Sequence, residues 1–111
     1  MHFSRKQRLT SQADYDLVFK KAKKINQRYF LALYKQNPSG MGRLGVIVSK
    51  RVAKSAVVRN RIKRVTRESY RANQNRLQGF DIIVLIRQDC HVLSKTQLRE
   101  GIDQLWEKFI T

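Results

Sequence analysis

Apolar residues along this chain recur with two different periods, and each change of period marks an element. Tyr15, Val18, Phe19 and Ala22 stand three and four apart, the spacing that gathers side chains on one helical face. Ser11 followed three residues later by Asp14 resembles an N-cap with an acidic first turn, so a helix is predicted from about Gln12 to Lys21. Lys20, Lys21, Lys23 and Lys24 crowd its C-terminal end, where the helix dipole tolerates cations. The run RYFLALYK, Arg28 to Lys35, is then apolar and aromatic at strand spacing. It puts Tyr29, Leu31 and Leu33 on one face and Phe30, Ala32 and Tyr34 on the other. One of these faces must meet the core, and the pattern does not say which. Asn37-Pro-Ser-Gly-Met-Gly42 is a turn by composition, and LGVIV, Leu44 to Val48, is the next strand. The two strands are expected to form an antiparallel hairpin.

Helical spacing returns in SAVVRNRIKRVTRESYR, residues 55 to 71. On a helical wheel Val58, Ile62, Val65, Ser69 and Ala72 share one face, and Arg59, Asn60, Lys63, Arg64, Arg67 and Arg71 take the opposite side. Asn73 to Gly79 ends that helix, and FDIIVLI, Phe80 to Ile86, reads as a buried strand. Ser94 with Gln97 forms a capping box for a last helix marked by Leu98, Ile102, Leu105, Trp106 and Phe109. The expectation is one α+β domain over residues 1–111, with helices packed on one small sheet. The strand after the cationic helix joins the same sheet by a helix crossover, for which the general rule is right-handed.

Charge changes the picture most. Lys and Arg number 24 against eight Asp and Glu, a formal net charge of +16. Residues 1–67 hold 18 of those cations and only Asp14 and Asp16 as acids, whereas the remaining residues hold six of each sign. No acid occurs from Leu17 through Arg67. A merely solvated surface mixes signs, so a polyanion is the expected partner. A membrane surface fits less well, because membrane-bound helices set bulky apolar wedges against their cationic face. No apolar run is long enough to span a bilayer, no signal-peptide segment follows the N-terminal charges, and a single cysteine, Cys90, fits a reducing cytoplasm.

Within the cationic helix, Arg59-Asn60-Arg61 supplies planar guanidinium forks that match phosphate oxygens. Lys50, Arg51 and Lys54 precede the helix start, where backbone N–H groups also attract anions. Tyr15 and Phe19, one turn apart beside lysines, admit two readings: core residues, or a platform on which unpaired bases stack. Catalytic chemistry is poorly supplied. His2 and His91 are remote in sequence, Cys90-His91 has no second pair to complete a zinc site, and carboxylates are too few for two-metal chemistry. A nuclease acting alone is therefore disfavoured. A zipper-type DNA-binding protein lacks its heptads after residue 71.

The block GVIVSKRVAKSAVVRNRIKRVTRESYR, residues 45 to 71, resembles the signature of the bacterial ribonuclease P protein subunit. That family has a strand ending in V-S-K-K/R, a short connection, and a helix bearing R-N-R-x-K-R-x-x-R. The remaining motifs agree in order: F-x-R-K-x-R-L at Phe3 to Leu9, D-Y/F-x-x-V-F at Asp14 to Phe19, F-D-x-x-V-x-x-R at Phe80 to Arg87, and a final helix containing L-W. The resemblance implies an αβββαβα two-layer fold on a mixed sheet of about four strands, with an uncommon left-handed crossover. It further implies that the catalyst is a partner RNA, which uses Mg2+ to remove the 5′ leader of precursor tRNA, while the protein carries no catalytic residue. By position, Arg59, Asn60, Arg61, Lys63, Arg64 and Arg67 would contact the catalytic RNA, with Lys50, Arg51, Lys54 and Arg71 extending that surface. Tyr15, Phe19, Leu31 and Leu33 would line the leader cleft. Some family members carry an aromatic where Leu33 stands, and the nearest here is Tyr34, which leaves open which of the two faces the leader. The rival reading from the charge alone is a basic ribosomal or other RNA-binding protein without processing activity.

Overall fold

The computed structural model describes residues 8–9, 12–37, 40–87 and 93–109. In chain order the elements are α1 (Gln12–Lys21), β1 (Lys23–Asn26), β2 (Phe30–Gln36), β3 (Arg43–Ile47), α2 (Ala56–Ala72), β4 (Phe80–Ile86) and α3 (Lys95–Glu107). Among the described residues the four strands form one mixed sheet in the order β1-β2-β4-β3. The expected hairpin of the strands now numbered β2 and β3 does not form. Instead β4 lies between them, antiparallel to β2 and parallel to β3. The hairpin partner of β2 is β1, with Lys23 opposite Tyr34 and Ile25 opposite Ala32. The sequence pattern passed over β1 because KKIN is too short and too charged to show alternation, and as an edge strand it needs only one ladder.

The continuous apolar run of β4 follows from its position, since a central strand covered on both faces cannot alternate. Ile82, Val84 and Ile86 point into the larger core, with Phe30, Ala32 and Leu44 of neighbouring strands, Val48 just past β3, and Ile62, Val65, Leu98, Ile102 and Trp106 from α2 and α3. Ile83, with Leu33 opposite it, points the other way, into a smaller core closed by Val18 of α1 and by Leu9. Thus α2 and α3 cover one face, and α1 lies alone on the other as a partial third layer.

Three of the polar side chains that the fold buries, Asp81, Ser69 and Thr66, are matched as follows. Asp81, at the start of β4, accepts from Arg43 Nε at 2.8 Å and Nη2 at 2.7 Å and from Asn37 Nδ2 at 2.8 Å. Trp106 Nε1 donates to Ser69 Oγ at 2.8 Å, and that hydroxyl donates to Asp103, tying α2 to α3. Thr66 Oγ1 donates to the Ile62 carbonyl at 2.9 Å. Leaving such a donor or acceptor buried without a partner would cost about 1–3 kcal/mol. The expected capping box of α3 is present: Ser94 Oγ accepts from Gln97 N at 3.1 Å, and the Gln97 side chain accepts from Ser94 N at 2.9 Å. Ser11 lies outside the described residues.

Candidate nucleic-acid interface

Helix α2 starts at an N-cap, Ser55, whose hydroxyl accepts from Val58 N at 3.4 Å. Ile62, Val65, Thr66, Ser69 and Tyr70 anchor it against the sheet and α3. Ala72, expected on this face, is exposed, because the wheel drifts past the packed stripe at the helix end. The opposite stripe, Asn60, Arg64, Arg67 and Arg71, lines a cavity of about 420 Å³ together with Arg8 and Glu68. Arg61 is exposed beside it, and Lys63 is half-buried. Among the described residues ion pairs occur at Arg43–Asp81, Arg76–Glu107 and Arg99–Asp103, and none involves an arginine of α2. The stripe therefore keeps its positive charge for an outside anion.

Arg59 does something different. Its Nη1 donates to the carbonyls of Ala53 and Lys54, both at 2.8 Å, and so clamps the connection between β3 and α2 onto the helix. Lys50, Arg51 and Lys54 of that connection are exposed, while Val52 and Ala53 are buried beneath them.

On the other face of the sheet, Tyr15 and Phe19 of α1 stand with ring centroids 6.4 Å apart and planes inclined by 32°. Phe19 is 47% exposed and Tyr15 is half-buried. Strand alternation decides the question that the sequence left open. Leu31 and Leu33 share the face of α1, while Tyr34 faces the opposite side and packs on Phe80 and Phe109. Leu33 is 5% exposed beneath α1, so it supports the aromatic pair, whereas Leu31 is half-buried beside it. Leu17, which the pattern did not single out, adds a further exposed apolar side chain on α1.

The two surfaces meet at the edge of β3. Residues 8 and 9 lie along that strand, with an Arg8–Leu44 bridge and Leu9 N donating to Leu44 O at 3.0 Å. This brings Arg8 close to Arg67, whose guanidinium pKa is lowered by burial and by the Arg8 charge and raised in part by Tyr15. The Tyr15 phenol is pushed up by burial and drawn down by Arg67. Arg8 lies within the Phe3–Leu9 motif, but no periodicity in the sequence relates it to Arg67.

The family model for ribonuclease P matches residues 3–110. The chain belongs to the ribonuclease P protein family. It is 38% identical over 106 residues to the ribonuclease P protein component of Aliivibrio salmonicida, covering 96% of this chain and 91% of that one. It is 39% identical to that of Legionella pneumophila (strain Lens), with the same coverage. Solved ribonuclease P proteins share the fold. That of Staphylococcus aureus superposes with a TM-score of 0.86 at 29% identity, covering 92% of this chain and 94% of its own. That of Thermotoga maritima gives 0.80 at 31%, covering 91% and 96%. Among the described residues of this ribonuclease P family member, no three His, Cys, Asp or Glu side chains converge as metal ligands, and no helix is long and apolar enough to cross a membrane. His2, Cys90 and His91 lie outside the described residues.

Proposed function

We propose that this chain is the protein subunit of a cytoplasmic ribonuclease P ribonucleoprotein, binding the catalytic RNA through the α2 stripe and the 5′ leader of precursor tRNA on the α1 surface. The observation that carries this reading is the junction at Tyr15, Arg67 and Arg8, where an acid-poor, phosphate-matching surface runs into a half-buried tyrosine and the more exposed ring of Phe19. Folded RNA presents phosphates in fixed geometry, which suits guanidinium groups held on a helix. A single-stranded leader presents bases, which suits the rings of Phe19 and Tyr15.

In this mechanism the protein positions and does not cut. Arg61, Arg64, Arg67 and Arg71 neutralise phosphates of the catalytic RNA, with Asn60 donating beside them. Leader bases stack on Phe19 and the exposed edge of Tyr15, with Leu31 as an apolar neighbour. Magnesium chemistry at the phosphodiester would be supplied by the RNA subunit, and no residue of this chain is given a metal-binding role. The protein raises the affinity of the assembly for leader-bearing substrate over mature tRNA.

Precursor-tRNA cleavage by protein alone, by RNA alone and by both together tests the proposal. The protein alone leaves the substrate intact, and its addition to the cognate RNA raises cleavage at low magnesium or substrate. Cleavage by RNA-free protein, surviving contamination controls, would overturn the non-catalytic role. Failure to stimulate the RNA would favour a basic RNA-binding protein without processing activity.

A further inference from the structure

A second aromatic pocket lies away from both surfaces. Tyr34, Phe80 and Phe109 form a triangle with centroid separations of 4.7 Å for Tyr34–Phe109, 5.8 Å for Tyr34–Phe80 and 6.0 Å for Phe80–Phe109. All three are half-buried and line an open cavity of about 380 Å³, within the range of small-ligand sites. Lys21, Lys23, Lys35, Lys108 and Gln36 complete the lining, with no carboxylate among the described residues. Lys35 Nζ donates to Gln36 O at 3.4 Å and Lys108 Nζ to Asn26 O at 3.3 Å, so these ammonium groups rest on neutral carbonyls. Among the described residues none of the four lysines is ion-paired.

We propose that this pocket is a second contact for single-stranded RNA, an unpaired base stacking against the exposed side of the ring cluster while the lysines hold the flanking phosphates. Four like charges around an apolar hollow repel one another, and a polyanion relieves this. The aromatic faces distinguish a strand with exposed bases from a duplex, whose bases are stacked inside. Position supplies the link to the α1 surface. Lys21 ends α1 two residues beyond Phe19, and Lys23 pairs with Tyr34 across the β1–β2 ladder. A strand leaving Phe19 past the lysines at the end of α1 and around β1 arrives at Tyr34. The RNA is therefore the distal part of the leader, an assignment that rests on the leader-binding role of the α1 surface.

Holoenzyme affinity for precursor tRNAs with a short and a long single-stranded leader tests this. Three variants are compared with wild type: Tyr34→Leu with Phe109→Leu, which keeps apolar packing without the rings; Lys21→Gln with Lys108→Gln, both at exposed positions; and Phe19→Ala. The expected result is that lengthening the leader strengthens wild-type binding and that either pocket variant removes about tenfold of that gain. Short-leader affinity is unchanged by the pocket variants, and Phe19→Ala weakens binding of both substrates. Loss of the length effect in the pocket variants with an inert Phe19→Ala would support the pocket while removing the α1 platform. A wild type indifferent to leader length, or lysine variants that retain the full length effect, would overturn the proposal. If the leucine variant unfolds, the lysine variant decides.

Discussion

The Tyr15 ring of α1 is seated on Gly45 of β3: a β-carbon at residue 45 would stand 2.8 Å from Tyr15 Cζ and 2.9 Å from Cε1. The bare backbone at that point lets α1 approach the sheet and tilts its aromatic pair toward the edge where Arg67 arrives. Gly45→Ala is therefore expected to displace the ring and lower stability by about 1–3 kcal/mol, the usual range for overpacking. Leader-dependent affinity falls with it. Thermal unfolding and the binding ratio of precursor to mature tRNA measure both, and an alanine variant unchanged in each would show that the ring has room to move.

Phe19 and Tyr15 should respond differently to truncation, since one is largely exposed and the other seated. Phe19→Ala is expected to leave the melting temperature nearly unchanged and to remove about 1–3 kcal/mol of leader-dependent affinity. Tyr15→Ala loses affinity and stability together. Equal destabilisation by the two substitutions would place both rings in the core and end the platform reading.

The arginines of α2 divide into two groups. Ala at Arg61, Arg64 or Arg67 is expected to weaken assembly with the catalytic RNA and to lower the log–log salt slope by about 0.7–0.9 per lost phosphate contact, a scale taken from single strands and B-DNA. Arg59→Ala also frees the Ala53 and Lys54 carbonyls from their clamp, and so lowers stability by about 1 kcal/mol for each half-exposed bond lost. Salt titrations of RNA binding, paired with denaturant melts, separate the groups. If Arg59→Ala melts like wild type, the clamp is without consequence.

Tyr70 makes a prediction about alkaline pH. Its burial, with the Asp81 carboxylate as a lesser cause, raises the phenol from 10.0 to about 12. The folded protein thus holds this proton more tightly than the unfolded chain, so the contribution is complete below pH 10 and is lost as pH rises toward 12. Relative to Tyr70→Phe, which has no phenol to titrate, wild type should lose on the order of 2 kcal/mol of unfolding free energy across that window. Denaturant melts of both proteins at several pH values test it, and a difference that stays flat would contradict the assignment.

Much of this was legible along the chain because the signals were local. The capping box at Ser94, the buried spacing of Leu98, Ile102 and Trp106, and the unbroken apolar run Ile82 to Ile86 of β4 each report an interaction within a few residues. The cationic stripe of α2 was equally plain, since a wheel with no interleaved acids needs no tertiary information. The resemblance carried by residues 45 to 71 pointed to the family that the comparisons then showed.

Strand order was not legible in this way. The turn between β2 and β3 is compatible with a hairpin, and only the apolar residues Ile82 to Ile86 on both faces of β4, with the Arg43–Asp81 pair at its start, make it the better neighbour for both strands, an energy that appears once three separated segments meet. That the face of Leu33, and not that of Tyr34, lies under α1 followed from how the sheet is covered. Arg59 looked like its neighbours until the fold brought two carbonyls to it.

What the sequence determined by itself is therefore every element except β1, the excess of positive charge and the helix that presents it, because periodicity and composition are properties of adjacent residues. What only the tertiary structure decided is which strand is central, which leucine lies under α1, and that Arg8, Tyr15 and Arg67 share one edge. Those relationships depend on burial of apolar area between segments far apart in the chain, and no local spacing encodes which distant face will cover which.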